Sequence, residues 1–245
     1  MRFALMMLVS GYLVMLAGCT VLQRRYLYYP THHPDPPGLA RWRAGNQLLG
    51  YAREVAAPKN VWLMMHGNAG QASDRSYALA AFSATDSVYL LEYPGYGDRP
   101  GTPSLQSINR AATEAYEILS RRFPDTPLGV VGESIGSGPA SMLALNPRPP
   151  AKIVLITPFD VLSRVAADHL PLLPVRLLLQ DNWNNIEALK DYQGPLEIFA
   201  ARDDEVIKIA HARALAASKP QAVFHPIDGG HNQWSMLGQV AISNP

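Results

Sequence analysis

The chain has 245 residues, 48% of them apolar and 17% charged, which suits one large α/β domain with a full core and excludes a disordered chain. Its 21 basic and 20 acidic residues give a formal net charge of +1, without the basic footprint that nucleic-acid binding requires, so no nucleic-acid partner is expected. The lone cysteine, Cys19, excludes an intramolecular disulfide.

Met1-Arg2 makes a minimal positive start, and residues 3–16 are apolar apart from Ser10, Gly11 and Tyr12. Small residues then lead to Cys19. This layout reads as a secretory signal, too short and too abruptly ended for a comfortable membrane-spanning helix. Leu16-Ala17-Gly18-Cys19 resembles the lipobox of bacterial lipoproteins. That resemblance implies that residues 1–18 are a signal peptide cut before Cys19, that Cys19 carries a lipid, and that residues 19–47 are a tether and leading segment. Thr20 stands where an aspartate would imply retention in the inner membrane, so attachment to the outer membrane facing the periplasm is expected. The alternative is a signal anchor with an incidental cysteine. Removing residues 1–18 takes away one arginine, leaving 20 basic against 20 acidic residues.

A domain over residues 48–245 follows. Tyr26 to Pro30 is aromatic and leads into a proline-rich loop over residues 31–37, where His32 and His33 are expected to be solvated. Residues 48–55 predict a strand near the sheet edge. Val61 to Met65 is wholly apolar, the mark of a strand buried on both faces, and it ends at His66-Gly67-Asn68-Ala69-Gly70. Ser73 is expected to cap a helix over 74–83. Residues 88–91 predict another buried strand, closing at Tyr93-Pro94-Gly95-Tyr96-Gly97. Ser104 opens an amphipathic helix running to Phe123, with Ile108, Ala112, Ala115 and Leu119 on one face.

Leu128, Val130 and Val131 then lead into Gly132-Glu133-Ser134-Ile135-Gly136, followed by a buried helix over 139–145. Strands are predicted at 153–156, 196–200 and 223–224, and helices at 210–218 and from Asn232 onward. This alternation implies a mostly parallel central sheet with helices on both faces, and active residues beyond the carboxyl ends of its strands. Residues 158–194 interrupt it. They are expected to form either a small cap over the site or a packing excursion with no substrate contact.

The chemistry rests on three side chains in the order serine, acid, histidine. Ser134, between glycines at a strand-to-helix turn, is held with its hydroxyl exposed above the sheet. A serine hydroxyl needs a base to take its proton, and the base needs an acid to fix its tautomer. Glycines precede His231, letting its loop approach the serine. His169, His211 and His225 read as structural or surface residues. Asp203 and Asp204 both stand just past the strand at 196–200, and adjacent side chains cannot both meet one imidazole. Asp204 is chosen, Asp203 remains the alternative, and Asp160 comes third. The oxyanion donors expected are the backbone N–H groups of Ile135 and Asn68, and His66 is read as structural.

These landmarks, in this order across most of residues 26–240, resemble the α/β-hydrolase superfamily. Leu173-Pro174-Val175-Arg176 and the leucines after it resemble its branch of eukaryotic depalmitoylase-like and serine-aminopeptidase-like proteins. Ala200-Ala201 depart from the His-Gly that often precedes the acid loop. The resemblance implies an α/β-hydrolase fold and a serine hydrolase of esterase or thioesterase type, acting on a small-molecule or lipid acyl substrate. No cofactor and no metal are expected. An aminopeptidase or amidase using the same residues is the enzymatic alternative, with Glu133 or Glu205 holding the substrate's amino end. A non-catalytic, envelope-anchored binding module is the other.

Overall fold

The computed structural model describes residues 2–35 and 37–245. Met1 of the expected signal and Pro36 of the expected proline-rich loop lie outside them. Helix α1 (Arg2–Leu27) runs unbroken through Cys19, and β1 (Tyr29–Pro30) follows it. Next come the edge strand β2 (Ala40–Ala44), β3 (Gln47–Arg53), β4 (Val61–Met65) and the two-residue β5 (Ala69–Gly70), which pairs with β1. Residues Ala72–Ala81 form a 3-10 helix. After it come β6 (Ser87–Leu91), α2 (Leu105–Arg122), β7 (Leu128–Glu133) and α3 (Ser137–Met142). The second half adds β8 (Ile153–Ile156), α4 (Leu162–His169), α5 (Val175–Leu178), α6 (Asn185–Leu189), β9 (Leu196–Ala201), α7 (Ile209–Ala217) and β10 (Val223–Ile227).

Eight strands make one sheet in the order β10-β9-β8-β7-β4-β6-β3-β2. Only the β2–β3 and β3–β6 pairings are antiparallel; the other five are parallel. The central strands are apolar on both faces because both faces are covered. Val61, Leu63 and Met65 of β4 enter one core, and Trp62 and Met64 enter the other. The same division splits Val130 from Val131 in β7, and Leu155 from Val154 and Ile156 in β8. Two apolar layers thus clamp the strands whose ends carry the site, a rigid support for loops that must hold side chains to within ångströms.

Helix α2 starts where Ser104 caps it. The Ser104 hydroxyl accepts from the Ser107 N–H at 3.0 Å, and the Ser107 hydroxyl accepts in return from the Ser104 N–H at 2.9 Å. Its buried face is Ile108, Ala111, Ala112, Ala115, Tyr116 and Leu119, at helical spacing.

The structure corrects three expectations. The helix expected over 74–83 is the 3-10 helix Ala72–Ala81, and Gln71 rather than Ser73 sits at its N-cap. The Asp74 N–H donates to Gln71 O at 3.1 Å, the i→i+3 bond of a 3-10 turn, and Arg75 breaks the helical dihedrals. The helix expected from Asn232 onward is instead a run of turns. Gln233 bonds back to Gly230 N–H at 2.9 Å, Trp234 is drawn to Glu133, and Ile242 bridges to Phe82. Residues 40–44, expected within the leading segment, supply an edge strand of the main sheet. The 158–194 excursion folds as α4, α5 and α6 with connecting turns.

Candidate active site

β7 delivers Ser134 at its carboxyl end, where φ is +53°, in the left-handed region that a residue with a Cβ adopts only at a cost of about 1–3 kcal/mol. The flanking glycines make that turn possible. A Cβ at Gly132 would lie 2.6 Å from Gly136 O and 2.7 Å from Ala140 Cβ; one at Gly136 would lie 2.3 Å from Met65 O. The chain after the serine therefore packs directly on the end of β4. The loop after β4 also lines the serine, since a Cβ at Gly67 would stand in ordinary contact with Ser134 Cβ, at 3.7 Å.

His231 arrives from the loop after β10, where Gly229 has φ +89°. That loop is tied to the one after β9 by a bond from Asp203 N–H to Gly229 O at 3.2 Å. Asp204 accepts from the N–H groups of Val206 (2.9 Å) and Ile207 (2.7 Å) through Oδ1, which fixes the carboxylate and turns Oδ2 toward the imidazole. The Nδ1 of His231 lies 2.7 Å from that oxygen, and its Nε2 lies 2.8 Å from Ser134 Oγ. A carboxylate only accepts, so Nδ1 carries the proton and Nε2 is left to accept from the serine hydroxyl. All three residues are buried to within a tenth of their surface. The structure thus brings Ser134, Asp204 and His231 into one line, and leaves Asp203 exposed.

Asn68 occupies the bend after β4. Its carbonyl accepts from Tyr29 N–H at 2.9 Å and from Tyr96 hydroxyl at 2.7 Å, and its side-chain amide donates to Leu27 O at 3.1 Å. Its position is thereby fixed on three sides. Ile135 is the middle residue of the turn Ser134–Gly136 that leads into α3. Asp160 is engaged elsewhere: it accepts from Arg164 at 2.6 Å and His211 Nδ1 at 2.8 Å. His225 stacks on Phe199 at 4.5 Å, and His66 stacks on Tyr93 at 4.1 Å.

One residue of the site exceeded what spacing could show. Glu133, buried beside Ser134, accepts from Trp234 Nε1 at 3.1 Å and Tyr77 hydroxyl at 3.3 Å through one oxygen. The other accepts from Gly67 N–H at 3.3 Å and faces Arg75 Nε at 3.2 Å. This carboxylate ties the loop after β4 to the loop that carries His231. The available signal was an acid inside the serine motif with a tryptophan three residues after the histidine. Neither residue type names the other.

The strand order, the left-handed serine at the carboxyl end of β7 and the histidine beyond the last strand are those of the α/β-hydrolase fold. No family model matches the chain. Solved structures agree on the fold. An esterase from Pyrococcus furiosus superposes with a TM-score of 0.65 at 14% identity, covering 87% of this chain and 96% of its own. An alpha-beta hydrolase from Vibrio vulnificus gives 0.66 at 16% identity, covering 81% and 76%. Within the α/β hydrolases, the chain belongs to the family of the uncharacterized protein Rv2307c of Mycobacterium tuberculosis, to which it is 33% identical over 238 residues, covering 90% of this chain and 84% of the relative. It is also similar to lysophosphatidylserine lipase ABHD12 of Mus musculus, at 27% identity over 191 residues, or 70% of this chain. The match spans about half of that relative, 48% of its length.

Proposed function

We propose that the protein is a serine hydrolase of carboxylic esters or thioesters, working through an acyl-enzyme on Ser134. The observation that carries this reading is the unbroken line from Asp204 through His231 to Ser134, at 2.7 and 2.8 Å. In the first half-reaction, Ser134 Oγ attacks the acyl carbonyl while its proton passes to His231 Nε2. Asp204, held by two N–H groups, steadies the imidazolium. The backbone N–H groups of Ile135 and Asn68 would receive the negative charge on the carbonyl oxygen, each such donor being worth about 10²–10³ in rate. The C–O or C–S bond then breaks, and the leaving group takes the proton from His231. In the second half, water gives a proton to His231 as its oxygen bonds to the acyl carbon; the bond from that carbon to Ser134 Oγ then breaks, His231 returns the proton to Oγ, and the free acid leaves. Esterase and lipase names among the similar proteins support the same chemistry.

The amidase alternative has two candidate acceptors for a substrate's amino end: Glu133 already has both oxygens engaged, and Glu205 is exposed in the loop after β9, lining the same surface hollow as His231. The second part of the proposal places the enzyme in the cell envelope, lipid-anchored through Cys19 and facing the periplasm. The lipobox-like Leu16-Ala17-Gly18-Cys19 supports it. Two experiments test the pair. A fluorophosphonate probe should label the native protein and leave Ser134→Ala unlabelled; equal labelling of both would end the catalytic assignment. Metabolic labelling with an alkynyl fatty acid should mark the native protein and not Cys19→Ala, and incorporation by both would end the anchor.

A further inference from the structure

A cleft of about 190 Å³ separates the second half of α1 from the excursion over 158–194. Cys19 and Leu27 line one side; Ala166, Leu170, Leu173 and Leu178 line the other. Its one side-chain amide, Gln23, is already committed. Gln23 Nε2 donates to Thr20 O at 2.7 Å and Leu178 O at 3.2 Å, and its Oε1 accepts from Gln180 N–H at 2.8 Å. No charged side chain lines the cleft among the described residues. A phosphate or ammonium would lose its water there without a partner, whereas an aliphatic chain gains from burial.

The cleft is preformed. Arg24 clasps the fully buried Asp181 with two bonds at 2.9 and 3.2 Å, and the Tyr28 hydroxyl adds a third at 3.0 Å, locking the end of α1 onto the excursion. Each wall is also fastened to a loop that flanks Ser134. On the α1 side, Leu27 O accepts from the side-chain amide of Asn68 at 3.1 Å. On the α4 side, His169 Nε2 meets Val206 O at 2.8 Å, two residues past Asp204. The Leu27 end of the cleft therefore lies against the loop after β4 that carries Asn68, and the cleft runs from there toward Cys19. Leu172 and Leu177, 88% and 87% exposed, stand on the same excursion and give this side of the molecule an apolar surface.

We propose that this cleft is the acyl-chain site and that residues 19–27 form one of its walls. The substrate is then a long-chain acyl ester or thioester, whose chain lies between α1 and the excursion while its carbonyl sits at Ser134. This deepens the hydrolase reading and rests on it. The segment following the anchor cysteine is accordingly part of the substrate site rather than a passive tether.

The test uses the detergent-solubilised full chain with two cleft-filling variants, Ala166→Phe and Leu170→Trp, each checked for a cooperative melt. Leu170 lies at the rim, so its variant should fold even if Ala166→Phe does not. Turnover is compared on p-nitrophenyl butyrate and palmitate, and palmitate binding is measured by calorimetry on Ser134→Ala with and without each filling change. The palmitate-to-butyrate ratio of kcat/KM should fall by about tenfold or more, the worth of about two buried methylenes. Palmitate should bind Ser134→Ala, and the filling change should abolish that binding. An unchanged ratio with intact binding in a folded variant would overturn the proposal. So would binding that appears only in Cys19→Ser, since the protein's own lipid would then be the occupant. Should no ester be hydrolysed while filling still abolishes palmitate binding, the hydrolase reading fails and the chain site stands.

Discussion

Gly136→Ala is a small change with a large expected consequence. A methyl at this position would stand 2.3 Å from Met65 O and 2.7 Å from His66 O, both backbone atoms at the end of β4. Carbon–oxygen contacts settle near about 3.3 Å, so about 1 Å must be found by moving backbone. Rotamer changes cannot supply it. The movable part is the turn Ser134–Gly136, because β4 is pinned between β6 and β7 in the centre of the sheet. Ser134 Oγ would thus leave its 2.8 Å approach to His231, and Ile135 would shift with it. A misplacement of about 1 Å costs roughly 10² in rate. Overpacking adds about 1–3 kcal/mol, a fall in Tm of roughly 2–12 °C for a chain this size. Turnover of p-nitrophenyl butyrate and a thermal melt on the same preparation measure both. Activity within threefold of the native enzyme, with an unchanged melt, would refute the packing argument that the serine motif rests on.

Other residues give sharper or broader tests. Asp204→Asn should lower kcat by roughly 10³–10⁴, since an amide can present N–H to His231 Nδ1 and reverse its tautomer, while the exposed Asp203→Asn should stay within twofold; steady-state kinetics on both variants decides between the adjacent acids. Arg24→Ala leaves Asp181 fully buried with the Tyr28 hydroxyl as its remaining side-chain partner, and should cost about 1–3 kcal/mol in urea unfolding. Asp160 gives a pH dependence. Burial pushes its carboxyl up, but the Arg164 guanidinium, the Val161 N–H and His211 together hold it below the usual carboxylate range. Because its folded value lies below its unfolded one, its contribution is complete above roughly pH 4 and is lost as the pH falls through the folded value. Urea midpoints should therefore drop more steeply with acid for the native protein than for Asp160→Asn; parallel curves would contradict this.

The legible parts of this sequence are those where local pattern and tertiary environment agree. Val61–Met65 is apolar at every position because two cores meet on it, and the α2 boundary follows from a capping pair three residues apart. Ser134 and His231 were legible because glycines mark the tight turn and the close approach. The adjacent acids differ for a reason no spacing carries. Val206 and Ile207 turn back onto Asp204, and the Asp203 N–H is taken by Gly229, twenty-six residues away. The segment after His231 misled because Trp234, Met236 and Leu237 suggest a helical face, whereas a buried acid over a hundred residues earlier claims the indole N–H. The edge strand Ala40–Ala44, with arginines alternating around Trp42, exposes most of its length and offers no apolar run to read. The contacts of residues 19–27 were equally hidden, since their partners on the excursion lie 155 and 157 residues downstream.

A covalent acyl group should pass through one serine. Mixing the full chain with p-nitrophenyl butyrate, quenching with acid within the first turnover and mapping the peptides by mass spectrometry locates it. A butyryl group on the peptide containing Ser134, absent from Ser134→Ala, is the predicted result. Turnover of the ester with the acyl group on another residue, or turnover retained by Ser134→Ala, would contradict the account.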